Sequence, residues 1–208
     1  MTAISRFVPS RPRSLVRSRT AAAMFGVALI GLGSATPLHA QSTEGPSLVV
    51  LVRHGEKAPE PAADPVLSAA GQERAKALLE AMSGSVPTAV IVSATTRTSS
   101  TAAPLAAKFG ITPKTISLAG GTATHVQAVA DAVRGSRGVV VVVGHSNTIP
   151  AIVKALGGPA LPDLCDASYS TMFLLQPGQD GKPAQVVRAQ YGVADPPAAA
   201  TCGTMRSP

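Results

Sequence analysis

The chain has 208 residues, room for one domain with an appendage. Its formal charge of +7 is lopsided: the first 40 residues hold Arg6, Arg11, Arg13, Arg17 and Arg19 and no acid, leaving 13 bases against 11 acids in the rest. That near balance, with only Phe109, Phe173, Tyr169 and Tyr191 as aromatics after residue 40, excludes a nucleic-acid surface, and 45% hydrophobic residues exclude disorder throughout.

Residues 1–40 have the layout of a cleaved secretion signal. A basic stretch to Arg19 precedes the apolar run AAAMFGVALIGLG, Ala21 to Gly33, and small residues lead to Ala40, with Leu38 and Ala40 at the −3 and −1 positions of a cut before Gln41. The apolar run is shorter than the roughly 20 residues of a membrane-spanning helix. The expectation is export to the periplasm or beyond, with no stable membrane anchor after cleavage.

The remaining chain alternates short apolar runs with helix-like stretches. Ser47–Val52 reads as a strand. Ser68 caps a helix through about Met82, rich in Ala, Leu, Glu and Lys. Thr88–Val92 is a second strand, and Thr98–Phe109 a helix stopped by Gly110. Lys114–Leu118 is a short strand. Thr124–Arg134 is a helix with Val126, Val129 and Val133 on one face, stopped by Gly135. Gly138–Val143 is a continuous β-branched run, as in a strand buried on both faces. Pro150 sits just inside a helix that ends at Gly157-Gly158. Thr171–Leu175 and Gln185–Arg188 are two late strands. This order predicts an α/β fold: a three-layer αβα sandwich on a mostly parallel sheet, residues 41–193, followed by a Pro/Ala-rich tail, 194–208.

Cys165 and Cys202 are the only cysteines. An even count in an exported chain predicts a Cys165–Cys202 bridge, which would tether the tail.

Three polar clusters directly follow apolar strands: Arg53-His54-Gly55-Glu56-Lys57, Ser93 to Arg97, and Gly144-His145-Ser146-Asn147. Ligands of an α/β sheet gather at the carboxyl ends of its strands. If the three strands are parallel, two imidazoles and two guanidiniums share one pocket. Such groups repel unless an anion lies between them, and guanidinium forks match phosphate oxygens. A neutral imidazole beside phosphate can take up the phosphoryl group covalently, while the other cations stabilise charge on its oxygens.

These residues also carry a resemblance. Leu51-Val52-Arg53-His54-Gly55-Glu56 resembles the RHG motif of the histidine phosphatase (phosphoglycerate mutase-like) superfamily. Leu67-Ser68-x-x-Gly71-x-x-Arg74-Ala75 resembles its following helix start, Ser93 to Arg97 and Thr101-Ala102 its arginine motif, and Val143 to Asn147 its second-histidine motif. Four motifs in the family's order span about residues 47–157. The resemblance implies a phosphoglycerate mutase-like fold and a phosphatase with His54 as phosphoryl acceptor. Arg53, Arg97 and His145 would form the phosphate pocket. Lys57 and Asn147 are candidate substrate contacts. Neither cofactor nor metal is expected, and the partner is a small phosphorylated substrate.

The chain departs from the family in its proton donor. Many members place a Glu between the arginine motif and the second histidine; here the only acid in that interval is Asp131, on the outer face of a helix. Glu56 is the first candidate donor and His125 the second. The missing donor makes mutase activity improbable. It also motivates the alternative of a non-catalytic phosphate- or phosphosugar-binding module, which the two intact histidines oppose. Gly144-His145-Ser146-Asn147-Thr148 only approximates a G-x-S-x-G nucleophile elbow, and no His follows it. His54-x-Glu56 lacks the Cys-x-x-Cys half of a zinc deaminase signature, and arginines beside His54, His125 and His145 oppose a zinc ion.

Overall fold

A computed structural model describes residues 45–179 and 182–197. The expected leader, the Cys202 half of the expected bridge and most of the expected tail lie outside them. Six strands, β1 (Pro46–Arg53), β2 (Pro87–Ser93), β3 (Lys114–Ile116), β4 (Gly138–Gly144), β5 (Thr171–Gln176) and β6 (Gln185–Gln190), form one sheet in the order β3-β2-β4-β1-β5-β6. Among the described residues there are four helices, α1 (Ala69–Ala81), α2 (Thr96–Phe109), α3 (Gly121–Arg134) and α4 (Thr148–Ala155). None is long and apolar enough to cross a membrane.

Strands β1 to β4 are mutually parallel, whereas β5 runs antiparallel to β1 and β6 antiparallel to β5. The sheet is therefore mostly parallel, with a hairpin at one edge. A two-layer core explains the β-branched runs. Val140 and Val142 of β4 pack with Val49, Leu51 and Ile91 against Val129 and Val133 of α3 and Ile149 and Ile152 of α4. Val141 and Val143 point the other way, with Val50, Val52, Val90 and Val92, onto Leu78 of α1 and Leu105 of α2. Strand side chains alternate faces, so a strand covered on both faces needs apolar residues at every position.

Local signals account for most element ends. The Ser68 hydroxyl accepts from the Gly71 N–H at 3.2 Å and caps α1 as expected. Gly110 stops α2 at φ 64°, a left-handed conformation that costs glycine nothing. Helix α2 begins two residues before the predicted Thr98, because the cap comes from a distant loop: Asp64 accepts from the Thr96 N–H at 3.0–3.1 Å and from its hydroxyl at 2.6 Å. Asn147 precedes α4 without a side-chain cap bond, and the hydroxyl of Thr148 accepts from the His145 N–H at 2.9 Å. Asp195, in the expected tail, accepts from the N–H groups of Tyr169 and Ser170, both at 2.8 Å, and from the Ser170 hydroxyl at 2.9 Å, tying this segment to the start of β5.

Candidate active site

The carboxyl ends of β2, β4 and β1 lie side by side. Arg53 pairs with Gly144 across β1 and β4, and Val92 with Val143 across β2 and β4. The ladder continues one residue further, with the His54 N–H donating to the Gly144 carbonyl at 2.9 Å. The sheet thus delivers the three polar clusters to one place. Two glycines let α1 press on the loop after β1: a Cβ on Gly71 would lie 2.2 Å from the Glu56 carbonyl oxygen, and one on Gly55 would lie 2.8 Å from that of Gly71. Real Cβ atoms do not approach that closely, so glycine is required on both sides of this contact.

Arg53 is 1% exposed, an unusual place for a guanidinium without a strong reason. Its Nη1 donates to the carbonyls of Cys165, Asp166 and Ser168 at 2.8, 2.9 and 3.2 Å. Its flat face lies on the Tyr169 ring, 4.2 Å from the centroid. Burial pushes its pKa below the ordinary arginine value, opposed by Tyr169, Asp166 and Asp195. The Nε–H is buried and meets no acceptor in the protein. Nη2 has only the Tyr169 hydroxyl at 3.5 Å and the Asp166 carboxylate at 3.9 Å. The Nε–Nη2 edge is therefore a fork of parallel donors held in place from behind, which suits two oxygens of a tetrahedral anion.

The two imidazoles stand edge to face, with centroids 5.3 Å apart. His54 donates from Nδ1 to its neighbour's carbonyl, Gly55 O, at 2.7 Å, so the lone pair of the neutral ring lies on Nε2. His145 takes the opposite tautomer. Its Nε2–H donates to the Ser93 hydroxyl at 2.7 Å, which passes its own proton to Thr98 Oγ1 at 3.1 Å, and Thr98 in turn donates to the Ser93 carbonyl at 2.8 Å. His145 Nδ1 faces Arg97 Nη2 at 3.4 Å. Burial, first, then the arginines and the other imidazole pull His54 down to about 3. Burial, then Arg97, His125 and Arg53 do the same to His145, also to about 3. Both rings are neutral at physiological pH while no anion offsets the arginines.

Arg53, His54, Arg97 and His145, predicted to form one pocket, are adjacent. The other candidates are placed differently. Glu56, the first candidate donor, is bound on both carboxylate oxygens by Arg74, with Nε 2.9 and 3.0 Å from the two oxygens and Nη2 2.6 Å from Oε1. Protonating it would sacrifice charge-assisted bonds, so this geometry opposes the donor role. His125 is buried on α3, and its Nδ1 is held 2.9 Å from the Ser117 carbonyl. Asp131 lies exposed on α3, accepting from Gln127 and Arg134. The Lys57 side chain is exposed and Asn147 half-buried, and neither takes part in the hydrogen bonds linking the four residues. Cys165 is disulfide-bonded; Cys202 lies outside the described residues. Among the described residues no group of three or more His, Cys, Asp or Glu is arranged to hold a metal.

Three residues at the site escaped sequence reasoning. Asp64, from the loop before α1, lies 3.5 Å from Arg97 Nη1 as well as capping α2, and these hydrogen bonds with Thr96 hold its carboxyl below the usual range. Arg74 stands in the Leu67 to Ala75 motif, but its partners, Glu56 and the Tyr191 carbonyl at 3.0 Å, are apparent only in the fold. Tyr169 supplies the ring under Arg53 and lies 6.1 Å, ring to ring, from His54. As one of two tyrosines in the chain it offered a compositional signal and nothing more.

The sequence profile of the histidine phosphatase superfamily (branch 1) matches residues 49–118. Comparison with curated proteins finds no match. Among solved structures, a mycobacterial glucosyl-3-phosphoglycerate phosphatase superposes with a TM-score of 0.51 at 18% identity, over 67% of this chain and 96% of its own. The protein histidine phosphatase SixA, complexed with tungstate, gives 0.52 at 17% identity, over 69% of this chain and 96% of its own. These likenesses are of fold. With the profile match over residues 49–118 and the four motifs in their structural places, the chain is similar to the histidine phosphatase superfamily.

Proposed function

We propose that the protein is a phosphatase that hydrolyses a phosphomonoester through a phosphohistidine on His54. The observation that carries this reading is the pairing of a neutral imidazole, its Nδ1 tied to Gly55 O, with a wholly buried arginine whose Nε–H has no acceptor. A buried unsatisfied donor costs about 1–3 kcal/mol, more when charged, and a phosphate oxygen removes that cost. The Arg53 fork binds two phosphoryl oxygens, and Arg97 and His145 complete the cradle. His54 Nε2 attacks phosphorus as the bond to the leaving oxygen breaks. Water then attacks phosphorus, the P–N bond breaks, and neutral His54 returns with release of phosphate. Arg53 and Arg97 stabilise charge on the transferring group in both steps.

Hydrolysis rather than transfer is favoured by the names of the two structural neighbours, both phosphatases, and the tungstate held by one supports a site for tetrahedral oxyanions. The leader pattern of residues 1–40 supports action outside the cytoplasm, which N-terminal sequencing of the protein recovered from periplasm and medium would test: a start at Gln41 is expected. For the activity, His54→Ala should abolish phosphate release from p-nitrophenyl phosphate. Turnover quenched in base, where phosphohistidine survives, should leave the label on His54. Full activity in His54→Ala would overturn the mechanism.

A further inference from the structure

The phosphatase reading leaves the leaving group without an acid. An alkoxide is a poor leaving group, and a positioned acid contributes roughly 10²–10⁴-fold to such reactions. The hydrogen-bonded carboxylates around the site, Glu56, Asp64 and Asp195, are committed elsewhere. Glu56 is bidentate with Arg74, Asp64 holds the α2 N-terminus and Arg97, and Asp195 accepts three bonds at the start of β5. The Asp166 carboxylate is half exposed, 3.9 Å from Arg53. His125 has its Nδ1 on the Ser117 carbonyl.

Tyr169 stands apart from these. Its hydroxyl lies 3.5 Å from Nη2 of Arg53, one of the two nitrogens of the fork that faces the phosphate position, and its ring lies against that of His54. The hydroxyl thus lies beside the guanidinium edge proposed to hold the phosphoryl group, with its proton uncommitted to Arg53, which can only donate. The residue is firmly held. Asp195 pins its backbone N–H at 2.8 Å, and the Arg53 guanidinium covers its ring at 4.2 Å. We propose that Tyr169 is the general acid of this enzyme, donating its phenolic proton to the leaving oxygen and taking a proton from the attacking water in the second step.

The balance is complete with the groups present. As the His54 Nε2–P bond forms and the P–O bond breaks, the Tyr169 proton passes to the leaving oxygen, which departs as a neutral alcohol. The phenolate left behind is stabilised by the guanidinium stacked on it. Water then attacks the phosphohistidine, Tyr169 takes its proton, the P–N bond breaks, and both side chains return to their starting forms. Burial raises the pKa of the Tyr169 phenol, with Arg53 opposing, so the group holds its proton at neutral pH. A phenol is also a stronger acid than the alcohol it would protonate, so the transfer runs downhill.

This proposal rests on the phosphatase reading, and its test separates the two. Tyr169→Phe keeps the ring beneath Arg53 and removes only the hydroxyl. In the purified protein, kcat/KM should fall by about 10²–10⁴-fold for an alkyl ester such as glycerol 2-phosphate, and by less than about threefold for p-nitrophenyl phosphate, whose leaving group needs no proton. Equal losses on the two substrates, or no loss on either, overturn the proposal. Should Tyr169→Phe fail to fold, a series of aryl and alkyl esters with the unsubstituted protein decides: a shallow dependence of kcat/KM on leaving-group pKa supports an acid, and a steep one overturns it. Activity on neither ester in the unsubstituted protein overturns the phosphatase reading together with this one.

Discussion

Acidification should unfold this protein through its two site histidines, and the size of the effect follows from their environment. His54 and His145 are 1% and 7% exposed and held at about 3, against an ordinary value of 6.5. Above pH 6.5 neither the folded nor the unfolded state protonates them, and their contribution to stability is at its maximum. Below it the unfolded chain takes up protons that the folded chain refuses, so stability falls with pH down to about 3. At pH 4.5 the unfolded state has gained two pH units per imidazole, which at about 1.36 kcal/mol per unit costs about 2.7 kcal/mol each, or about 5 kcal/mol for the pair. A typical domain has only about 5–15 kcal/mol to lose. The assay is urea unfolding at pH 7, 6, 5 and 4.5, followed by circular dichroism. Carboxylates also contribute to acid unfolding, so the informative quantity is a difference between proteins. His54→Asn and His145→Asn should each shrink the loss between pH 7 and 4.5 by about 2–3 kcal/mol. If both variants lose as much stability as the unsubstituted protein, the imidazoles are not held neutral by the site, and the nucleophile argument loses its electrostatic basis.

Three other substitutions probe the supports of the pocket. Asp64→Asn keeps an acceptor for the α2 N-terminus but removes the charge beside Arg97; KM for p-nitrophenyl phosphate should rise about two- to fivefold with little change in kcat, and an unchanged KM would dissociate Asp64 from Arg97. Ser93→Ala strands the buried Nε2–H of His145, which should cost about 1–3 kcal/mol of stability and shift the imidazole nitrogen resonances of His145; an unshifted spectrum would show that the hydroxyl does not set the tautomer. Gly71→Ala places a methyl against the Glu56 carbonyl, and overpacking of this kind costs about 1–3 kcal/mol; melting temperature and phosphate release should fall together, and full retention of both would mean that α1 does not press on the loop after β1.

The residue pattern alone indicated the layers of this fold and picked out four residues that the strand ends bring together. Continuous apolar runs such as Gly138–Val143 mean burial on both faces, and a polar cluster after each run must emerge at the end of its strand. Arg53, His54, Arg97 and His145 were legible because each sits within a residue or two of a strand end or helix start. Tertiary structure decided the antiparallel placement of β5, the pairing of Glu56 with Arg74, the capping of α2 by Asp64, and the seating of Tyr169 on Arg53. Those partners are 18, 32 and 116 residues apart in the three side-chain pairs. Periodicity and capping rules act within a few residues. Which loop meets which strand end depends on how the whole sheet closes, and that is where the partners of Arg53, Glu56 and Arg97 were decided.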